Sequence, residues 1–261
     1  MTVPWNVEAI TPRDTLRERA PVTRDPQRRI NFAYSVAPRV PWDVFITRFD
    51  WRQGEHVGLI GPTGQGKTNL LMHLLPLRTY TAVFATKPRD DSMDRLIAKG
   101  YLKIEQWSSI PPERAPKRVL WPNASSINSQ DQQKRAFQHA YSEIYREGGW
   151  CTVVDEGFYM SEILGLKKEM KVFWTQGRSL GISHVVATQR PRWVPLEMYD
   201  QSTHLFFWLN NDDESLRRIS GLGIASAEVV RTLVQGLEKF QCLYINTRTG
   251  DMMRTRAPAP R

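Results

Sequence analysis

The amino-acid sequence predicts an α/β fold with a mostly parallel central sheet, and three observations predict it. Short apolar runs rich in β-branched and aromatic residues alternate along the chain with stretches of helical period. A glycine-rich octet, Gly61-Pro62-Thr63-Gly64-Gln65-Gly66-Lys67-Thr68, lies between one such run and an apolar helix. A later apolar run ends in the acidic pair Asp155-Glu156.

The elements follow in order. Residues 1–41 hold six prolines and the arginines Arg13, Arg17, Arg19, Arg24, Arg28, Arg29 and Arg39, with little periodicity. They read as an extended basic arm with one short helix near 14–19. Val44–Asp50 is expected to be a lead-in strand that turns at Gln53-Gly54 into a first buried strand, His56–Ile60. Buried strands are expected at Thr81–Thr86, Trp150–Val154, His184–Gln189 and His204–Leu209, with shorter ones at Tyr101–Ile104 and Arg118–Trp121. Helices are expected at Ser92–Lys99, Gln130–Arg146, Leu166–Arg178, Asp213–Ser220 and Ala225–Val234. A closing strand at Phe240–Ile245 should turn at Asn246–Gly250 into a C-terminal hairpin. The expected organisation is an arm (1–41), one domain (42–254) and a flexible tail (255–261).

The octet is G-x-x-x-x-G-K-[ST] between a strand and a helix, the context that this motif requires. Its glycines let successive backbone N–H groups turn inward as an anion nest. The helix that follows directs its positive N-terminus at the same phosphates. Gly61, Pro62, Thr63, Gly64, Gln65, Gly66, Lys67, Thr68 and Asn69 are therefore the candidate nucleotide cradle. Lys67 is placed to reach the β- and γ-phosphates, and Thr68 to ligate Mg²⁺.

The 261 residues carry 36 Lys and Arg against 27 Asp and Glu, a formal charge of +9 that suits a nucleic-acid partner. Cys151 and Cys242 lie in separate apolar runs, so neither a disulfide framework nor a metal site is expected, and a reducing cytoplasmic setting is the natural one. No apolar run approaches the roughly 20 residues of a membrane span, so no direct membrane span is expected.

Asp155-Glu156 at the end of an apolar strand fits the acidic element that accompanies a phosphate loop. Asp155 would hold Mg²⁺ beside Thr68, and Glu156 would orient or deprotonate an attacking water. Other nucleotide-binding classes lose ground on motif. The chain has no N-K-x-D guanine-reading sequence and no L-S-G-G-Q signature, which leaves ATP as the expected nucleotide.

The stretch Gln176-Gly177-Arg178-Ser179-Leu180-Gly181-Ile182-Ser183, followed by an apolar strand and Ala187-Thr188-Gln189-Arg190-Pro191, adds a third motif. Together with the octet, Thr86-Lys87-Pro88 and Val153-Val154-Asp155-Glu156, in this order over about residues 50–246, the chain resembles the FtsK/HerA superfamily of DNA-pumping ATPases. Thr86 stands where that family usually has an acidic residue. The resemblance implies a single RecA/ASCE-like P-loop domain whose His184–Gln189 strand lies between the strands of the octet and the acidic pair. Gln189 would then emerge beside the γ-phosphate. It also implies ATP and Mg²⁺ as cofactors, double-stranded DNA as partner, and a homo-oligomeric ring of five or six subunits. In such a ring an arginine from the neighbour completes the site; Arg178 is the first candidate, with Arg190, Arg192, Arg217 and Arg218 as rivals. The implied activity is ATP-driven DNA translocation in viral genome packaging or mobile-element transfer, with a virion portal or membrane-associated assembly as a further partner. The alternative is an ATP-dependent assembly or export factor of phage morphogenesis that acts on protein.

Other features read more plainly. Most of the nine tryptophans are expected in the core, with Trp193 kept as an exposed one. Lys167-Lys168-Glu169-Met170-Lys171 and Arg114–Arg118 are basic runs that could face DNA in a ring lumen.

Overall fold

Alternate residues of the apolar runs face opposite sides of one sheet, and helices cover both sides. The computed structural model describes residues 25–122, 126–189, 195–212, 216–217 and 226–259. Its strands are β1 (His56–Ile60), β2 (Thr81–Phe84), β3 (Leu102–Ile104), β4 (Lys117–Leu120), β5 (Cys151–Val154), β6 (Ser183–Thr188), β7 (Ser202–Trp208), β8 (Cys242–Asn246) and β9 (Met252–Thr255). They form one sheet in the order β3-β4-β2-β5-β6-β1-β7-β8-β9. β3 to β7 along that order are mutually parallel, and β8 and β9 close the far edge as an antiparallel hairpin.

The helices are α1 (Pro26–Val36), α2 (Trp42–Arg48), α3 (Lys67–Leu74), α4 (Asp91–Ala98), α5 (Gln130–Glu147), α6 (Lys167–Gln176), α7 (Glu197–Gln201) and α8 (Ala227–Gln235). On one side of the sheet Val83, Phe206 and Trp208 pack with Phe45 of α2, Leu70 and Leu74 of α3 and Leu96 of α4. On the other, Phe84, Leu205 and Phe207 join the core that holds Phe137 of α5, Phe173 of α6, Leu233 of α8 and Ala33 of α1. Two-sided burial is why the central strands read as near-continuous apolar runs.

β6 lies between β1 and β5, the order that the resemblance implied. The loops that leave the C-terminal ends of β1, β5 and β6 therefore emerge side by side, at the crevice where parallel sheets bind ligands.

Three expectations are corrected. Val44–Asp50 is not a strand, because Trp42–Arg48 is helical. Val44 and Ile46 mimic strand alternation, but Phe45 and Phe49, four residues apart, stack at 5.5 Å between ring centroids and pack together on Phe206 and Tyr244. A helical turn brings both rings to one face; a strand would split them.

The segment 1–41 is not extended throughout. Asp25 caps α1 by accepting from the Gln27 N–H at 2.9 Å, and Pro26 occupies the first turn, where its missing donor costs nothing. α1 then docks on α8 through the Arg29–Glu228 ion pair and Tyr34, whose hydroxyl donates to the Gly236 carbonyl. Residues 255–259 are likewise not a loose tail. Thr255 closes β9, and the Pro258 carbonyl accepts from Asn69 Nδ2 at 2.6 Å and lies 3.1 Å from His73 Nε2. The helix expected near 14–19, most of 213–220, and residues Arg190, Arg192, Trp193 and Arg218 lie outside the described residues.

The basic runs also read differently in three dimensions. Arg118 is fully buried, so that run does not present it to a ligand. Its guanidinium lies 4.6 Å from the Trp107 ring and 4.9 Å from the Trp150 ring and donates to the carbonyls of Ala115, Ser108 and Ile110. Lys167 and Lys171 have carboxylate partners in Glu162 and Glu197. No helix among the described residues is long and apolar enough to cross a membrane.

Candidate active site

The octet forms the turn between β1 and α3. Gly66 takes φ +100°, a left-handed conformation that a side chain would strain, and it leads directly into Lys67 at the first position of α3. Gly61 is needed for a different reason: a Cβ there would lie 2.7 Å from Cβ of Trp208 on the adjacent β7. The buried Lys67 ammonium donates to the carbonyls of Gly61 (2.6 Å) and Pro62 (2.8 Å), curling back over the loop that it belongs to.

The acidic pair arrives from two strands away. Asp155 follows β5, and its Oδ1 and Oδ2 accept from the Thr68 hydroxyl at 3.0 and 3.2 Å. Glu156 is adjacent, and its Oε2 accepts from Gln189 Nε2 at 2.7 Å. Gln189, just beyond the end of β6, also accepts at Oε1 from the Thr63 hydroxyl at 2.5 Å. One amide thus joins the phosphate loop to the acidic residue of the neighbouring strand. After Glu156 the chain enters a π-helical turn, Tyr159–Ile163, a backbone form that recurs at functional sites.

Lys87 completes the polar rim. Its ammonium lies 3.7 Å from Asp155 Oδ2 and 3.3 Å from Asp90 Oδ2. The turn presenting it is pinned by Trp121 Nε1 on the Lys87 carbonyl (2.8 Å) and Gln133 Nε2 on the Thr86 carbonyl (3.2 Å). Gln133 Oε1 in turn accepts from Tyr159, so this turn and the segment after Glu156 share one buried amide. Thr68, Lys87, Asp155, Glu156, Gln189 and Phe240 are among the residues that line a cavity of about 310 Å³.

The charges in this cavity are shifted together. Burial lowers the Lys67 ammonium to about 8, against the pull of Asp155 and Glu156 and with Lys87 adding to the fall. Burial raises the Asp155 carboxyl, opposed by Lys87 and the Thr68 hydroxyl. Glu156 is raised by burial and then by the neighbouring Asp155 charge, against Lys67 and Lys87. Burial would lower Lys87, but Asp155 and Asp90 outweigh it and its net shift is upward. A carboxylate pair held above its ordinary range, beside a lysine held below its own, is the pattern expected where a multivalent phosphate and a cation bind.

Thr68 and Asp155 present hard oxygen ligands at one point, the donor chemistry that Mg²⁺ takes alongside substrate phosphates. The described residues therefore fit the metal that the motif implies.

The shifts predict a pH profile. For the free enzyme, kcat/KM for ATP should fall above about pH 8 as Lys67 loses its proton, and should fall on the acid side at a pH above the ordinary glutamate range as Glu156 gains one. The alkaline limb should move upward in kcat, because bound phosphate stabilises the charged lysine. A kcat/KM that stays flat to pH 10 would contradict the role of Lys67.

Arg178 is not brought to this site. It lies exposed in the 3₁₀ turn Gly177–Leu180 before β6, whereas Gln189 follows the strand's other end. The six residues of β6, at about 3.3 Å each, separate them by roughly 20 Å. Arg217 is exposed and does not line the cavity. Sequence reading undervalued Lys87, whose signal was the Thr86-Lys87-Pro88 turn after β2. It missed Phe240, which carries no motif.

No protein-family model matches this sequence, and no curated protein matches it. Solved structures do match. The DNA-packaging ATPase B204 of Sulfolobus turreted icosahedral virus superimposes with a TM-score of 0.60 at 14% identity, over 80% of this chain and 100% of that one. B204 of Sulfolobus turreted icosahedral virus 2 in complex with ATP-gammaS gives 0.57 at 15% identity, over 77% and 95%. VirB4 of Thermoanaerobacter pseudethanolicus gives 0.58 at 11% identity, over 78% and 89%. The chain thus has the P-loop ATPase fold of a viral DNA-packaging ATPase and of VirB4, with the mixed, mostly parallel nine-stranded sheet described above.

Proposed function

We propose that this chain is an ATP-driven double-stranded DNA translocase of the FtsK/HerA type, acting as a homo-oligomeric ring in viral genome packaging or mobile-element DNA transfer. The observation that carries the reading is the Thr63–Gln189–Glu156 hydrogen-bond chain. It couples a phosphate loop to a candidate base through an amide just beyond the end of the intervening strand, which suits hydrolysis that drives movement. The packaging role of B204, to which this chain is similar in fold, supports the choice of DNA as cargo.

In this reading Lys67 and the backbone donors of Gly61–Asn69 hold the phosphates of ATP. Thr68 and Asp155 would hold Mg²⁺, which when bound would supply neutralisation of the phosphate charge. Glu156 takes a proton from the attacking water. Loss of the γ-phosphate changes what Gln189 and Thr63 can bond, and that change is passed to DNA-contacting loops. Arg178, exposed and without an ion-pair partner among the described residues, is the proposed residue for a neighbour's site. Portal or membrane-associated partners would anchor the ring, in the host cytoplasm or on the virion.

The test is ATP turnover with and without duplex DNA. Duplex of any sequence should stimulate turnover, and the stimulation should decline steeply between 50 and about 200 mM salt, because the contacts are to phosphates. Turnover indifferent to DNA at low and high salt would overturn the translocase reading and favour a protein-directed assembly factor.

A further inference from the structure

The cavity has two ends, and sheet order says which is which. Glu156 and Gln189 follow β5 and β6, on one side of β1. On the other side β8 runs antiparallel to β7, with Trp208 opposite Cys242. That reversal returns the turn before β8 to the rim of the phosphate loop. Phe240 sits on this turn and lines the cavity; a Cβ on Gly66 would lie 3.6 Å from its ring. A triphosphate whose γ end meets Glu156 and Gln189 therefore points its nucleoside toward Phe240.

Phe240 is unusual in itself. It takes φ +66°, and among the described residues no other non-glycine residue has positive φ. The turn Glu238–Gln241 is closed by Gln241 N donating to the Glu238 carbonyl (3.0 Å) and by Gln241 Oε1 accepting from the Glu238 N–H (3.2 Å). Its third position at positive φ is ordinarily Gly or Asn. A bulky aromatic there is strained, and strain of this kind is kept at functional sites. The residue is nonetheless 45% exposed, so packing does not account for it. Lys239 lies over it at 5.1 Å, and the Arg256 guanidinium holds the Lys239 carbonyl at 2.6 Å.

We propose that Phe240 is the platform on which the base of the bound nucleoside triphosphate stacks. The proposal rests on the nucleotide-site reading above and adds the subsite that the phosphate loop does not supply. A flat ring has a face but no donors or acceptors, so this platform should favour large purines over pyrimidines by stacking area.

The test is titration of the full chain with Mg·ATP and with inorganic tripolyphosphate plus Mg²⁺, for wild type, Phe240→Ala and Phe240→Trp. Wild type should bind ATP more tightly than tripolyphosphate. Phe240→Ala should weaken ATP about tenfold or more, the usual effect of losing one stacking partner, and leave tripolyphosphate unchanged. Phe240→Trp should recover ATP binding, with its added fluorescence changed by ATP and not by tripolyphosphate. Phe240→Gly, free of the strain, should melt higher than wild type yet bind ATP weakly. Wild-type ATP affinity in Phe240→Ala, alongside a wild type that prefers ATP to tripolyphosphate, overturns the platform. A wild type that binds neither overturns the nucleotide site itself.

Discussion

Glu156→Gln is expected to lower ATP turnover by roughly 10²–10⁴-fold, the range for loss of a positioned general base. The substitution is nearly isosteric. A glutamine at 156 still offers an oxygen to Gln189 Nε2, which now bonds Glu156 Oε2 at 2.7 Å, so the link to Thr63 has no geometric reason to break. Nucleotide binding should survive, because Lys67, Thr68 and Asp155 are untouched. The signature is a large fall in kcat with ATP still bound, measured by steady-state turnover beside equilibrium binding. Turnover above half of wild type would remove Glu156 from catalysis. Gln189→Ala separates the two roles: it should reduce turnover less than Glu156→Gln and reduce DNA stimulation more.

The largest effect on stability is expected far from the nucleotide. Arg118→Ala should destabilise the fold by about 3–4 kcal/mol, through loss of two cation–π contacts and of a donor to three carbonyls. For a chain of this size that is a fall in Tm of about 10 °C. Arg118→Lys should recover less than half, since a compact ammonium does not span three carbonyls as the planar guanidinium does. Thermal melts of both variants check this, and Arg118→Ala within about 1 kcal/mol of wild type would sink it. Residual nucleotide binding below the melting point is expected, because Arg118 touches no residue of the phosphate loop.

These two residues mark what the sequence makes legible. The place of Glu156 beside the phosphate loop is readable because the apolar strand and the acids that end it are contiguous in the chain. The phosphate loop is readable for the same reason. Gln189 required the resemblance, since its place beside Glu156 depends on β6 lying between β1 and β5, a fact of strand order that spacing does not encode. Arg118 misreads as a surface cation because its partners are two tryptophans 11 residues before it and 32 after it, in connecting segments that precede β4 and β5. Phe45 and Phe49 show the complementary failure. Their neighbours alternate like a strand, and only the distant surface of Phe206 and Tyr244 selects the helix. Phe240 was invisible because its place beside the loop comes from the antiparallel turn of β8.

β6 has a consequence for how a ring of these subunits would keep time. Its six residues are all buried; Ser183–Val186 pair with β5 and Val185–Thr188 with β1, so the strand is held on both edges. Such a strand moves as a stiff rod. One end leads to Gln189, the residue proposed to sense the γ-phosphate, and the other leads back to the exposed Arg178. In the proposed ring, spent fuel at one end shifts the sparking residue at the other. Firing in one subunit would then set the readiness of the next, and the order of events around the circle would follow from a single rigid strand.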